Sequence, residues 1–104
     1  MLSNRFAALG DPTRLAIVES LLDDGEQSAG EICARVTVSA PAVSRHLKVL
    51  CAAGLLLRRV DRQRRIYSPD PVGLGAINDW FGLHVQFWSD SVDRLQAAVE
   101  QGES

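Results

Sequence analysis

Seven basic side chains, Arg45, Lys48, Arg58, Arg59, Arg62, Arg64 and Arg65, fall between Ser39 and Ser68, and Asp61 is the one acid among them. Seven positive charges and one negative make that stretch +6, and the chain's net −2 leaves −8 for the remainder. Guanidinium and ammonium groups gathered in this way suit the phosphates of a nucleic acid, and the guanidinium fork also matches a guanine edge. A basic stretch on an acidic body is the electrostatic pattern of a phosphate-binding face, although a solvated charged hairpin has the same composition. Other chemistry-bearing residues are sparse. Cys33 and Cys51 are too few for a disulfide framework. His46 and His84 stand far apart in the chain, and the carboxylates are scattered. No Ser/His/Asp set and no glycine-rich phosphate loop is present, so an enzyme is not expected, and the residues imply no cofactor and no metal site.

The chain that must position these groups has 104 residues, 46% apolar and 23% charged, which is the size and make-up of one globular domain over 1-104. It contains no apolar run of about 18 residues, so no membrane span is expected. Met1-Leu2-Ser3-Asn4-Arg5 lacks the apolar stretch of a secretion signal, and a cytoplasmic location is expected.

The elements read from caps and periodicity. Leu2, Phe6 and Leu9 mark one face of a first helix, which Gly10 stops. Asp11-Pro12 opens a second, with Asp as N-cap and Pro in the first turn. Leu15, Val18 and Leu22, with Ile17 and Leu21 beside them, are expected to bury it, and Gly25 to cap it. Ser28-Ala29-Gly30-Glu31 fits a capping box ahead of a short helix carrying Ile32 and Val36. Ser39 is the next N-cap, and Val43, Leu47 and Leu50 are expected inside the fourth helix, which Gly54 ends. Leu55 to Val60 and Arg65 to Ser68 read as two strands around a turn at Asp61-Arg62-Gln63-Arg64, a tight hairpin without glycine. Asp70-Pro71 repeats the helix start, and a last helix runs to about Glu100 with a stripe of Ile77, Phe81, His84, Trp88, Val92, Leu95 and Val99, widened by Trp80 and Phe87. The fold expected is mainly α with a small β-hairpin.

Two short helices joined through Val36-Thr37-Val38-Ser39 read as a helix-turn-helix, about residues 28-53. In that motif the second helix enters the major groove of double-stranded DNA with its N-terminal residues against base edges. With Val43, Leu47 and Leu50 inward, Pro41, Ala42, Arg45, Lys48 and Val49 face out, and Ser39 and Ser44 lie at the leading edge. Small residues at Ala40 and Ala42 let the backbone approach DNA closely. Arg45 suits a guanine or a phosphate, Lys48 a phosphate, and His46 either a phosphate or a structural hydrogen bond. The hairpin, about residues 55-68, then reads as a wing whose Arg62, Arg64 and Arg65 hold the flanking backbone or the minor groove.

These residues resemble the arsenic-repressor (ArsR/SmtB) family. The resemblance is carried by Phe6-Ala7-Ala8-Leu9-Gly10-Asp11-Pro12-Thr13-Arg14-Leu15, by Ser39 to Leu50, by Ala53-Gly54-Leu55 and by Arg64-Arg65-Ile66-Tyr67, which span nearly the whole chain in the family's order. It implies a winged helix-turn-helix repressor acting as a homodimer on an inverted repeat in its own or a neighbouring promoter, with dimer contacts from the first and last helices. The dimer residues expected on that basis are Phe6, Leu9, Trp80, Phe81, His84, Phe87, Trp88 and Leu95, in a dimerisation helix of about 71-100. The tail is similar to a branch of autorepressors without a known metal effector.

Departures from the family bear on mechanism. Metal-sensing members carry a Glu-Leu-Cys-Val-Cys-Asp box where this chain has Glu26-Gln27-Ser28-Ala29-Gly30-Glu31, with Ser28 and Gly30 in place of both cysteines. Zinc sensors place an Asp-x-His and a further histidine on the last helix, whereas Asp79 and His84 are five apart with no histidine following. Gln63 and Thr37 stand where turn glycines are usual. Cys33 reads as a small core residue, Cys51 as a partly exposed thiol, and the aromatic residues of the last helix as dimer core. Two other readings are a thiol- or metal-responsive sensor of the same fold, and a protein-interaction module without DNA binding. No small-molecule effector is named by the residues.

Overall fold

Four of the five described helices begin where a side chain accepts one of the first unpaired backbone N–H groups. The computed structural model describes residues 2–102, apart from the side chains of Gln86 and Trp88; Trp88 of the expected dimer stripe therefore lies outside the described residues. Helix α1 spans Leu2–Leu9 and α2 Pro12–Asp24. Asp11 caps α2, its carboxylate accepting from the N–H groups of Thr13 at 2.9 Å and Arg14 at 3.0 Å. Helix α3 is Ala29–Arg35, opened by the complete capping box of Ser28 and Glu31. Helix α4, Ala40–Ala52, is capped by the Ser39 hydroxyl on the N–H of Ala42. Helix α5 runs over Pro71–Gly102, slightly past the expected end, and Asp70 accepts from the N–H of Val72 at its start.

The sheet corrects the expectation of a lone hairpin. Strands β2 (Leu56–Asp61) and β3 (Arg64–Pro69) form the hairpin, and β1 (Gln27–Ser28) adds a third strand in the order β1-β3-β2. A strand of two residues has no alternation to detect, and Ser28 was already accounted for as a helix cap. Both hairpin strands are one residue longer at the tip than expected, which leaves Arg62 and Gln63 to turn the chain. Arg62 does so with φ of 59°, the one left-handed non-glycine among the described residues.

The core joins α2, α3, α4 and the sheet through Ile17, Val18, Leu21, Ile32, Val43, Leu47, Leu50, Leu55, Leu56 and Tyr67. Val43, Leu47 and Leu50 are buried as expected, whereas Leu15 and Leu22 are 41% and 56% exposed. On the α2 wheel, Ile17, Val18 and Leu21 cluster within about one 100° sector, and Leu15 and Leu22 stack together on its flank. An Ile-Val-x-x-Leu-Leu sequence offers two overlapping apolar faces, and packing against α4 selects one of them. Cys33 and Cys51 are both half-buried against this core, with free thiols.

Gly54 and Gly73 fix how α5 leaves the body. Gly54 has φ of 75°, and a Cβ on Gly73 would lie 1.6 Å from the Gly54 carbonyl oxygen. The first turn of α5 therefore lies backbone to backbone against the turn that follows α4, with the Arg5 guanidinium of α1 laid against the contact.

Candidate nucleic-acid interface

Helix α4 presents to solvent the face expected from its apolar spacing. Ser39, Ala40, Pro41, Ser44, Arg45 and Lys48 are exposed, and Ala42 is half-buried. Arg45 and Lys48 make no ion pair among the described residues, so their charges are available to a ligand. The Ser39 hydroxyl is committed to its cap at 3.3 Å.

His46 turns away from this face. Its Nδ1 accepts from Arg14 Nη1 at 3.3 Å and lies 4.0 Å from Asp11 Oδ2. Arg14 also donates from Nε to the Ala8 carbonyl at 2.6 Å. The Gly10 to Arg14 segment thus ties the end of α1 and the start of α2 to the middle of α4. The Asp11 carboxyl is held below its usual range, first by the Arg14 backbone N–H, then by the Arg14 charge and the Thr13 N–H, against an opposing effect of burial. Of the two roles open to His46, the structure shows the structural hydrogen bond.

Strand alternation sorts the arginines of the wing. Residues facing each other across an antiparallel pair share a sheet face, as do residues two apart along a strand. Arg58 faces Tyr67, which faces Gln27, so these side chains share the side toward α4 with Arg65. Arg59 faces Ile66, which faces Ser28, so Arg59 and Arg64 lie on the opposite side. The outer pair is neutralised: Arg59 Nη2 donates to Glu26 at 2.7 Å and Arg64 Nη2 to Glu31 at 2.9 Å. Arg58, Arg62 and Arg65 make no ion pair among the described residues. Arg64, expected to hold DNA, is thus engaged by α3, and Arg58, counted in the basic run but not singled out with Arg62, Arg64 and Arg65 as a contact, stands among the cations without an ion pair. Sequence reasoning missed this because alternation assigns faces only once the register is known.

Between α4 and the inner face of the wing lies a cleft of about 630 Å³, lined by Ser44, Lys48, Cys51, Arg58, Arg65 and Tyr67 among others. Burial pushes the Cys51 thiol above its ordinary range, against a smaller downward pull from Arg58. That shift keeps the thiol protonated, and the thiolate is the reactive form. Among the described residues no group of three or more His, Cys, Asp or Glu side chains is placed to hold a metal ion.

The residues expected to pair two copies fall into two parts. Phe6, Trp80 and Phe81 form an edge-to-face cluster at 5.2 to 6.1 Å between ring centres, and His84 stacks on Trp80 at 4.5 Å. The His84 Nδ1–H donates to the Trp80 carbonyl at 2.7 Å. Leu9 packs on the core, while Phe87 and Leu95 are exposed farther along α5. Phe6, Trp80, Phe81 and His84 therefore meet within one protomer. No described helix is long and apolar enough to cross a membrane.

Comparison with known proteins agrees with this geometry. Residues 11–56 match the family described as bacterial regulatory protein, arsR family. The chain is 50% identical over 70 residues to the HTH-type transcriptional regulator Rv2034 of Mycobacterium tuberculosis, a match spanning 67% of this chain and 64% of that protein. It is 44% identical over 95 residues to the arsenical resistance operon repressor of Escherichia coli, covering 90% of this chain and 78% of the relative. The crystal structure of a possible transcriptional regulator for arsenical resistance superposes with a TM-score of 0.72 at 38% identity, covering 90% of this chain and 94% of the other. Element order, winged-helix architecture and sequence all lead to one assignment: the chain belongs to the ArsR family of bacterial regulatory proteins.

Proposed function

We propose that this chain is a DNA-binding transcriptional repressor that acts in the cytoplasm as a homodimer on an inverted repeat, in its own promoter or a neighbouring one. The observation that carries the reading is the exposed face of α4, with Arg45 and Lys48 unpaired beside a wing that keeps Arg58, Arg62 and Arg65 unpaired as well. In this reading Arg45 touches a base edge. Ser39, Ala40, Ala42, Ser44 and Lys48 set the approach and hold the backbone, His46 supports the helix from behind, and the wing cations grip the flanking duplex. No catalytic step is involved; the bound dimer blocks access to the promoter.

Dimerisation is supported by the surface of α5. Its 32 residues make a helix of about 48 Å. Along it Phe81, Val85, Val92, Leu95 and Val99 are exposed at spacings that, with Trp88 in sequence between Val85 and Val92, alternate four and three. That is the spacing of a seam by which two helices pair, with Val85, Val92 and Val99 in one set of positions and Phe81, Trp88 and Leu95 in the other. An exposed apolar stripe of this length is unusual on a monomer, and a second copy covers it most simply. The sensor reading has less support, because the Cys51 thiol is shifted away from reactivity.

Footprinting on the DNA upstream of its own gene tests the proposal. The expected result is one protected inverted repeat whose half-sites lie about 10 bp apart, one helical turn, as a twofold dimer requires. An unprotected upstream region, together with no affinity for any duplex at low salt, would contradict it.

A further inference from the structure

The cleft between α4 and the wing is built of two unlike surfaces. Its floor is apolar. Leu47 and Leu56, each 2% exposed, close it from below, and Cys51 and Ala52 continue the wall along α4. The burial that raises the Cys51 thiol marks that wall as weakly hydrated. Its rim is cationic. Lys48 of α4 and Arg58 and Arg65 of the wing line it, and no acid holds any of them among the described residues, whereas Glu26 and Glu31 hold Arg59 and Arg64 on the opposite face. Between floor and rim stands Tyr67, only 6% exposed. Its hydroxyl has no hydrogen-bond partner among the described residues and is not sealed from solvent, so a buried side chain offers the cleft an unused donor.

The volume of about 630 Å³ is that of a site for a small organic molecule. Cations alone would serve any anion, but an apolar floor beneath them selects one with an apolar body. A carboxylate suits the rim, because it accepts the guanidinium fork and the tyrosine hydroxyl together. An aromatic body suits the rest, because it lies on an aliphatic floor and its faces accept the guanidinium planes. We propose that the cleft binds a small aromatic carboxylate, its charge held by Arg58, Arg65 and the Tyr67 hydroxyl and its rings laid on Leu47, Leu56 and Cys51, and that the bound acid displaces DNA from α4 and the wing. The displacement rests on the DNA-binding reading, since the acid occupies wing cations that the duplex also uses; the site itself does not. Release from DNA then answers to an organic acid, with no metal ion and no thiol chemistry required.

The test uses the intact protein and 2-naphthoate as the probe. Two controls divide its features: 2-naphthol has the same rings without the carboxylate, and acetate has the carboxylate without the rings. Calorimetry is expected to give 2-naphthoate a Kd of about 1 mM or tighter, at least about tenfold tighter than either control. Arg58→Gln and Arg65→Gln are each expected to weaken it about tenfold, the loss of a hydrogen bond to a charged group, and Tyr67→Phe about fivefold. Arg59→Gln and Arg64→Gln remove the same charge from the opposite face and are expected to leave its affinity unchanged. No binding of 2-naphthoate at about 10 mM, equal binding of 2-naphthol, or equal weakening by the outer and inner variants overturns the site. Anisotropy of a labelled duplex at low salt then tests the displacement. At ten times its Kd, 2-naphthoate is expected to weaken duplex binding by about tenfold or more, as competition requires. Unchanged duplex affinity under those conditions overturns the displacement. Failure of the unmodified protein to bind any duplex brings down the DNA-binding reading instead, and calorimetry still decides the site.

Discussion

Arg45 projects from the middle of α4 without an ion pair, and its neighbours Ala42 and Ser44 are small enough to let the helix approach a groove. Arg45→Ala should cost about 1–3 kcal/mol of specific binding and relax base preference at one position in each half-site, as read by selection from a randomised operator. Equal weakening on every sequence would make Arg45 a backbone contact instead. Glu31 carries a separate, pH-dependent consequence. Its carboxyl is held below the usual 4.5, first by the Ser28 backbone N–H, then by the Ser28 hydroxyl, with burial opposing and with Arg64 and Arg35 assisting. A carboxyl depressed in the folded state contributes stability that is present above its unfolded value and lost as pH falls through the folded one. The urea midpoint of the unmodified protein should therefore exceed that of Glu31→Gln by a constant margin above about pH 5, and the margin should shrink at lower pH. A margin that persists to pH 3 would contradict this cause. Caps of this kind were visible in the sequence because Ser28 and Glu31, or Asp11 and Pro12, act over three residues or fewer. The partners of Arg64 and His46 were not, because Glu31 and Arg14 lie 33 and 32 residues away.

Among the elements, α4 was the most legible. Its cap, its buried Val43, Leu47 and Leu50, and the glycine after it are local signals that agree with one another. The sheet was half legible: alternation and the basic run marked the hairpin, but β1 is too short for a period and Gln27 is a polar residue inside the core. Gln27 is buried there because it donates to the Ser20 carbonyl and hydroxyl, at 3.3 and 3.0 Å, a pairing that no local pattern announces. The close contact of α5 with the turn after α4 left no periodic signal at all, since it depends on two glycines 19 positions apart in the chain. Its tightness makes a sharp prediction. In Gly73→Ala the new methyl meets the backbone carbonyl of Gly54, which has no side-chain freedom to yield, so helix α5 must shift. The loss of stability should be at the upper end of the 1–3 kcal/mol range for overpacking, or beyond it. Gly75→Ala, where nothing lies within 4 Å, should be neutral or slightly stabilising. Equal thermal midpoints for the two variants would show that the contact is looser than described.

At the scale of the whole molecule, charge and apolar surface are segregated. The cations gather on the basic segment of α4 and the wing, and the far reach of α5 carries an apolar stripe with Leu95 67% exposed. The net charge of −2 alone points away from nucleic acid; the segregation reverses that, and it was readable from sequence because the cations are contiguous in the chain. The proposed dimer rests in the sequence only on excess apolar surface, because the wide stripe on the last helix does not say how much of it one's own α1 covers. Phe6 packs against Trp80 and Phe81, while Val85, Val92, Leu95 and Val99 farther along stay exposed, the surface that the proposed dimer would cover. Leu95→Asp should therefore convert a dimer into a monomer by light scattering, and should weaken operator binding because two half-sites are no longer engaged together. A dimer that survives the substitution would place the interface elsewhere. Sequence-selective binding of double-stranded DNA is measured by comparing the affinity of the intact protein for its own upstream DNA with that for a scrambled duplex, at two salt concentrations. A preference of about 10³ or more for the upstream DNA is expected, with an affinity for both duplexes that falls steeply with salt. Absence of binding to either duplex at low salt would contradict it.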